Sequence, residues 1–75
     1  MQLSRKEYDI LYLLASNPSK IFSRSDFIRE LWKDAPYVLD RTVDVHIARI
    51  RSKLGSCRDL ITNRAGFGYS LENNA

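Results

Sequence analysis

The sequence contains few of the residues that build disulfides, metal sites or membrane spans. It has one cysteine, Cys57, and one histidine, His46, 11 residues apart. It therefore forms no intramolecular disulfide, and no set of zinc ligands can be assembled from it. No apolar run approaches the roughly 20 residues needed to cross a bilayer, and no signal peptide is visible. We expect no metal and no cofactor, and a protein that fits a reducing cytoplasm.

Glycine is scarce as well, with three residues in the chain. Gly66 and Gly68 follow one strand-like run and open another, whereas a phosphate-binding loop opens a helix. The acidic residues are scattered, and most lie where helix caps or surface pairs explain them. No nucleophile has a base nearby in the sequence. We therefore expect that the protein is not an enzyme.

What the sequence does contain predicts one globular domain over residues 1–75, with 44% hydrophobic and 28% charged residues. The net charge of +3 lies entirely in the second half. Residues 1–40 carry six basic and six acidic residues, whereas residues 41–75 carry six basic and three acidic ones. A basic half is typical of a domain that contacts a polyanion, although such an excess also occurs on ordinary surfaces.

The strongest local pattern predicts a helix that begins at Asp40, as its N-cap, and ends at Gly55. Four apolar residues share an arc of roughly 60° on this helix, namely Val43, Ile47, Ile50 and Leu54. The far side holds Arg41, Thr42, Val45, Arg49, Ser52 and Lys53, with His46 at the boundary. A helix with an arginine-bearing face, mounted on a core through its other face, can read a DNA major groove. A solvated surface helix gives the same pattern.

Two further helices are predicted upstream. A capping box at Ser4 and Glu7 starts the first, which ends near Ser16, before Asn17-Pro18. Its expected inward side is Tyr8, Leu11, Leu14 and Ala15, widened by Ile10 and Leu13. Ser23 and Asp26 repeat the capping box, with Asp in place of Glu, and start the second helix. This helix runs to about Lys33 and is expected to bury Phe27, Ile28, Leu31 and Trp32. Ile21-Phe22 before it is at most a short strand fragment.

After a polar connector at 56–59, the runs 60–64 and 69–71 contain residues compatible with β-strands. Ala65-Gly66-Phe67-Gly68 between them favours a tight reversal. Three helices followed by a C-terminal β-hairpin form an α+β winged helix-turn-helix. In that fold the third helix enters the major groove, and the hairpin, or wing, reaches the backbone or the minor groove.

Several segments together resemble the C-terminal effector domain of OmpR/PhoB-type response regulators, which are bacterial transcription factors. The segments are 3–9, 17–18, 22–24, 31–32, 40–55 and 66–69, and they match without a gap across nearly the whole chain. Among the most diagnostic is Arg41-Thr42-Val43-Asp44-Val45-His46-Ile47. The resemblance implies sequence-specific binding of double-stranded DNA, with two copies on direct repeats. It also implies a monomer or weak dimer without DNA.

The resemblance places six residues of the third helix near DNA: Arg41, Thr42, Val45, His46, Arg49 and Arg51. Lys53 joins them from the far side of the helix, and Asn63, Arg64 and Tyr69 join from the wing. Arg49 is the expected base reader, because a guanidinium can bond guanine O6 and N7 together. Val45 suits a thymine methyl group. Arg41, Thr42 and His46 suit phosphates near the helix start.

Some of these positions have a second interpretation. The helical wheel puts Arg51 beside Asp44, so an ion pair is as reasonable as a phosphate contact. His46 could be a partly buried histidine satisfied by a neighbour. Tyr69 is expected to pack under the wing, with its hydroxyl able to reach a phosphate.

The wing departs from the family pattern. Family wings usually carry an arginine immediately before Gly-x-Gly-Tyr, where this chain has Ala65, and a buried valine where it has Arg64. A one-residue slip reverses the face of a strand residue. We expect a β-bulge that re-aims Arg64 toward the minor groove; the alternative is a weakened wing contact.

Residues 33–39 resemble the family's transactivation loop, which touches RNA polymerase, although a simple connector fits equally. The candidate contacts are Asp34, Ala35, Pro36, Tyr37 and Val38. The family's domain also begins with an antiparallel sheet, and its regulators carry a phosphorylatable receiver domain. Neither is visible in these residues, so we expect a fragment of a larger regulator.

Two other functions fit the same fold. A winged helix can bind protein instead of DNA, but it would not be expected to keep Arg41, Arg49 and Arg51 around one helix. The cytoplasmic DNA-binding part of a membrane-anchored activator also uses this fold. Only the flanking sequence would separate that second possibility from a response regulator.

Overall fold

The computed structural model describes residues 2–35 and 37–72. The elements follow in the order α1 (Arg5–Ser16), α2 (Arg24–Leu31), α3 (Asp40–Leu54), a 3₁₀ helix (Gly55–Leu60), β1 (Ile61–Arg64) and β2 (Gly68–Leu71). The predicted α+β winged helix-turn-helix is therefore confirmed. The 3₁₀ helix occupies the stretch predicted as a polar connector. No helix in the described ranges is long and apolar enough to cross a membrane.

Both predicted capping boxes are confirmed, and they explain where α1 and α2 begin. Ser4 Oγ accepts from the Glu7 amide at 3.2 Å, while Glu7 Oε1 accepts from the Ser4 amide at 2.9 Å. Ser23 and Asp26 make the same exchange at 3.0 and 2.9 Å. Each box satisfies two of the amides that a helix start leaves without partners.

The predicted cap of α3 is wrong by one position. Leu39 is the N-cap, with no side-chain hydrogen bond, and Asp40 is the first helical residue. The backbone closes this turn instead, because the Thr42 amide donates to the Leu39 carbonyl at 2.9 Å. Asp40 still places a negative charge at the positive end of the helix dipole. Gly55 ends α3 with a φ of +61°, as its position predicted.

All three α-helices and both strands contribute to one hydrophobic core. Its buried side chains are Ile10, Leu14, Phe22, Phe27, Ile28, Trp32, Val43, Ile47, Ile50, Ile61 and Tyr69. The inward face predicted for α1 is wrong at two positions, since Tyr8 is 55% exposed and Ala15 is exposed. α1 instead turns Glu7, Ile10 and Leu14 inward. A count of apolar residues could not anticipate a carboxylate in that stripe.

The wing is a regular antiparallel hairpin. Its pairs are Ile61 with Leu71, Thr62 with Ser70, Asn63 with Tyr69 and Arg64 with Gly68. The predicted bulge at Arg64 is therefore wrong. The register pairs every residue of β1 with one residue of β2, without an extra residue. On the face of the hairpin that Arg64 shares, its neighbour is the small Ser70, and Glu72 beyond Ser70 supplies a counter-charge.

A single β-bridge fastens the wing to the segment between α1 and α2. Phe22 and Tyr69 exchange backbone hydrogen bonds of 2.8 and 2.9 Å, so the short apolar run Ile21-Phe22 contributes an isolated bridge at Phe22 alone. Gly68 passes so close to this bridge that a Cβ there would lie 2.0 Å from the Phe22 carbonyl oxygen. The start of β2 is thus held directly against the helical part of the molecule.

Candidate nucleic-acid interface

The outward face of α3 carries the side chains that could meet a ligand. Arg41, Val45 and Arg49 are exposed, Val45 to 45%, and Thr42 is half-buried beside them. On the opposite side Val43, Ile47 and Ile50 are buried in the core. The predicted division of this helix into a core face and a solvent face is confirmed. One face is held by packing, which leaves the other available and rigid.

Ion pairing divides the arginines into two sets. Four have carboxylate partners: Arg5 with Asp9, Arg24 with Asp44, Arg29 with Asp26, and Arg64 with Glu72. Within residues 2–35 and 37–72, no carboxylate lies within 4.0 Å of Arg41, Arg49, Arg51 or Arg58. The guanidinium groups of α3 are therefore not neutralised by any carboxylate among the described residues and remain available to an anion.

Asp44 joins α3 to two neighbouring elements. Its Oδ1 accepts from Arg24 Nε at 2.9 Å, at the start of α2, and from the Tyr69 hydroxyl at 2.6 Å, in β2. Burial alone would raise the pKa of Asp44, but the hydrogen bonds from Arg24 and Tyr69 outweigh it and hold that pKa below its usual range. Burial and the bond to Asp44 raise the pKa of Tyr69. The alternative of an Arg51–Asp44 pair is wrong, because Arg51 does not come within 4.0 Å of this carboxylate, which pairs with Arg24 instead.

Tyr69 packs under the wing as predicted, with 7% of its surface exposed. Its hydroxyl hydrogen points to Asp44 rather than outward. The geometry therefore does not support the predicted contact between this hydroxyl and a DNA phosphate.

Lys53 is exposed, as predicted, but it directs its charge away from the outward face. Its Nζ donates to Glu7 Oε1 at 2.6 Å. The residue lies beside the core stripe of α3, and its long stem folds back to Glu7, which is only 2% exposed. The ion pair with Lys53 and the Ser4 amide lower the pKa of Glu7 despite its burial. This link between α1 and α3 was missed in the sequence, where Glu7 signals only a helix cap.

His46 is satisfied within the protein. Its Nδ1 lies 2.7 Å from the Thr42 carbonyl oxygen, and its ring meets the edge of the Trp32 ring with centroids 5.4 Å apart. The alternative reading of a partly buried, satisfied histidine describes this side chain. Trp32 is buried, as expected for a core residue, and Lys6 Nζ lies 5.1 Å from its ring centroid.

Arg64 is held against the wing and does not extend from it. One of its guanidinium nitrogens, Nη2, lies 3.1 Å from Glu72 Oε2, and Nε donates to Ser70 Oγ at 3.4 Å. The Ser70 hydroxyl in turn donates to Glu72 at 2.8 Å. The predicted re-aiming of Arg64 toward the minor groove is wrong, because its charge is already matched.

A cleft of about 220 Å³ separates the wing from the starts of α2 and α3. Asn63 and Phe67 line it on the wing side, and Arg24, Ser25 and Asp40 line it on the helix side. Asn63 is exposed, as a wing contact requires. The wing tip, Arg24 and the first turn of α3 therefore border one continuous surface.

The segment between α2 and α3 is partly anchored. Ala35 and Val38 pack against the core, whereas Asp34 and Tyr37 are exposed. Pro36, the remaining residue predicted to contact RNA polymerase, lies outside the described residues. In the described part of the chain, no three or more His, Cys, Asp or Glu side chains form a group that could hold a metal ion.

Known proteins resemble this chain over nearly its full length. A family model described as "Transcriptional regulatory protein, C terminal" matches residues 1–71. The heme response regulator HssR of Staphylococcus epidermidis is 42% identical over 76 residues, covering 99% of this chain and 34% of that protein. The phosphate regulon transcriptional regulatory protein PhoB of Rhizobium meliloti is 40% identical over 74 residues, covering 96% and 33%. The chain thus spans about a third of the length of these curated relatives.

Solved structures share the fold over the whole chain. The DNA-binding domain of the response regulator AdeR, in complex with an intercistronic region, superposes with a TM-score of 0.86 and 31% identity, covering 80% of that chain. The C-terminal domain of the nisin resistance regulator NsrR gives a TM-score of 0.84 and 27% identity, covering 78%.

Proposed function

The chain belongs to the family of transcriptional regulatory protein C-terminal domains, the DNA-binding domains of OmpR/PhoB-type response regulators, and from this premise we propose how its own residues bind DNA. The resemblance seen in the sequence is thereby confirmed, and the family is one of transcription regulators rather than enzymes. We place the outward face of α3 in the major groove of double-stranded DNA, where it binds in a sequence-specific way.

One observation carries this proposal: among residues 2–35 and 37–72, the arginines of α3 have no carboxylate partner of the kind that neutralises Arg5, Arg24, Arg29 and Arg64. Phosphate contacts from unneutralised basic side chains supply most of the sequence-independent affinity for DNA. Because the helix is fixed to the core by Val43, Ile47 and Ile50, these charges are presented on a rigid support.

Each outward residue has a role that suits its chemistry. Arg49, in the middle of the exposed face, donates two hydrogen bonds to guanine O6 and N7. Val45, one turn earlier, packs against a thymine methyl group. Arg41 and Thr42 lie in the first turn, where the positive end of the helix dipole favours phosphate. Arg51, without a carboxylate partner, is a further candidate for a phosphate contact.

Three predicted contacts are omitted from this scheme, because Lys53, Arg64 and Tyr69 direct their polar atoms to Glu7, Glu72 and Asp44. His46 contributes by holding its own turn of the helix and packing on Trp32. Asn63 stays in the scheme as a wing contact.

Further features of the function are proposed from the family. Two copies bind direct repeats, and the domain alone is a monomer or a weak dimer. The exposed Asp34 and Tyr37 of the 33–39 loop suit a contact with RNA polymerase. Because its partner is chromosomal DNA, the domain works in the bacterial cytoplasm. There it is the effector of a two-component response regulator.

A titration of labelled duplex DNA tests the charge argument. The variant Arg41→Gln/Arg49→Gln should bind random duplex more weakly and reduce the slope of log K against log salt by about one to two units. Arg29→Gln on α2 is the matched control, because Arg29 is exposed but paired with Asp26. A control variant that loses as much affinity as the α3 variant would contradict the proposed face.

A further inference from the structure

The tip of the wing carries no charge. Ala65, Gly66, Phe67 and Gly68 contain no polar side chain, and the nearest arginine, Arg64, is held back by Glu72 and Ser70. Phe67 stands at this tip with 72% of its surface exposed. Any surface that the tip meets is therefore met by an aromatic ring and by backbone.

The ring is mounted on a rigid support. The Phe67 amide donates to the Arg64 carbonyl at 2.8 Å, which closes the turn, and Gly66 adopts a φ of +81°. Gly68 is pressed against the Phe22 carbonyl, so β2 starts from a fixed point. A side chain on a fixed turn loses little backbone freedom on binding, and this reduces the cost of a contact.

The tip also lies beside the proposed DNA-binding surface. Phe67 lines the same cleft as Asp40, the first residue of α3, and as Arg24 and Ser25, at the start of α2. Because the tip borders the cleft at the first turn of α3, placing α3 in a major groove brings the tip close to the adjoining DNA. Isolated exposed aromatic residues are ordinary on protein surfaces; this one occupies the tip of a wing whose tip residues, 65–68, carry no charge.

We propose that Phe67 is an apolar wedge, which enters the minor groove beside the α3 site and partly unstacks one base step there. This inference rests on the proposed DNA-binding function. Apolar side chains that enter minor grooves unstack and kink the duplex. The contact releases no phosphate counterion, so it adds affinity without adding salt dependence. It favours a flexible pyrimidine–purine step at that position.

The test is fluorescence anisotropy on a duplex that contains a single half-site, meaning one copy of the repeated binding motif, with a salt series for each variant. Phe67→Ala should lose about tenfold in affinity, the scale of one lost base–aromatic contact, with an unchanged salt slope. Phe67→Leu should keep most of the affinity, because it keeps an apolar wedge. Tyr12→Ala, which removes another exposed aromatic ring on α1, should bind like the wild type.

A second readout reports on the base step itself. A duplex with 2-aminopurine at the flanking step should brighten when the wild-type protein binds, because unstacking relieves quenching, and should stay dim with Phe67→Ala. Affinity equal to that of the wild type for Phe67→Ala overturns the inference. The inference is also overturned if Phe67→Ala loses affinity only on a duplex with a direct repeat, because Phe67 would then contact the neighbouring copy of the protein.

The same experiment separates failure of this inference from failure of the proposed function. If the wild-type protein binds the half-site and Arg49→Ala weakens it, while Phe67→Ala has no effect, only the wedge is wrong. If the wild-type protein binds no duplex at low salt, both proposals are wrong.

Discussion

The Tyr69 hydroxyl donates a 2.6 Å hydrogen bond to Asp44, which ties the second strand of the wing to the middle of α3. Arg24 donates to the same carboxylate oxygen at 2.9 Å from the start of α2. Asp44 lies on the flank of α3, between the core face and the outward face. The two elements that we propose to meet DNA are therefore positioned by one shared group.

We expect Tyr69→Phe to lower the free energy of unfolding by about 1.5–3 kcal/mol, the usual range for a hydrogen bond to a charged partner. The ring and its packing on Phe27 remain, so the loss reports on the hydroxyl alone. Urea unfolding followed by circular dichroism measures it. Tyr12→Phe is the matched control, since that side chain is exposed and the described residues offer its hydroxyl no hydrogen-bond partner. Equal stability of Tyr69→Phe and the wild type would show that the bond contributes nothing.

The two wing glycines should respond differently to alanine. At Gly68 a Cβ would lie 2.0 Å from the Phe22 carbonyl oxygen, at a φ of +137°, so backbone must move. We expect Gly68→Ala to cost more than about 3 kcal/mol.

Gly66 has a φ of +81° but open space around its Cα, and Gly66→Ala should cost about 1 kcal/mol from backbone strain alone. Thermal unfolding of both variants measures the difference. Similar melting temperatures for the two variants would contradict the close approach of Gly68 to Phe22.

Stability at acid pH should depend on Glu7. Its pKa is lowered in the folded protein, chiefly by Lys53 and the Ser4 amide. A carboxylate with a lowered folded pKa stabilises the fold above its unfolded pKa of about 4.3, and that contribution is lost as pH falls through the folded pKa. We therefore expect wild-type stability to fall below about pH 5 more steeply than that of Glu7→Gln.

At neutral pH, Glu7→Gln should cost about 1–2 kcal/mol, less than a fully buried pair, because Lys53 remains partly exposed. Glutamine retains the capping geometry, so the helix start is not disturbed. Asp9→Asn serves as the control, since it breaks only the exposed pair with Arg5 and should change stability by less than about 0.5 kcal/mol. Parallel pH profiles of the wild type and Glu7→Gln would contradict the role given to Glu7.

Much of this fold is readable from local sequence rules, because its signals act over a few residues. The boxes at Ser4 and Ser23 place two helix starts, and Gly55 marks the end of α3. The stripe of Val43, Ile47 and Ile50 identifies the buried side of α3. These features depend on neighbours within one or two helical turns.

What the sequence could not show depends on partners far along the chain. Lys53 points to Glu7, 46 residues away, and Tyr69 points to Asp44, 25 residues away. A helical wheel assigns each residue an angle but not a partner, so it offered Arg51 for Asp44 and gave no sign that Lys53 pairs with Glu7. Arg64 was misjudged for the same reason, because its neutralisation needs Glu72 across the hairpin.

Replacing Arg49 and replacing Arg41, both on the outward face of α3, should change DNA binding in different ways. Arg49→Ala should lose about 1–3 kcal/mol of binding free energy and relax the preference at one base pair. Arg41→Ala should weaken binding to all sequences alike and reduce the salt slope by about one unit. Anisotropy on matched and mismatched duplexes checks this, and identical behaviour of both variants would contradict the division of roles.

The central claim, that the outward face of α3 reads DNA sequence, is tested most directly by selecting binding sites from random duplex DNA with the wild type and Arg49→Ala in parallel. We predict that the wild type enriches a short motif, repeated head to tail, and that Arg49→Ala enriches the same motif with one guanine position relaxed. No enrichment by the wild type at moderate salt, or an unchanged motif with Arg49→Ala, would contradict it.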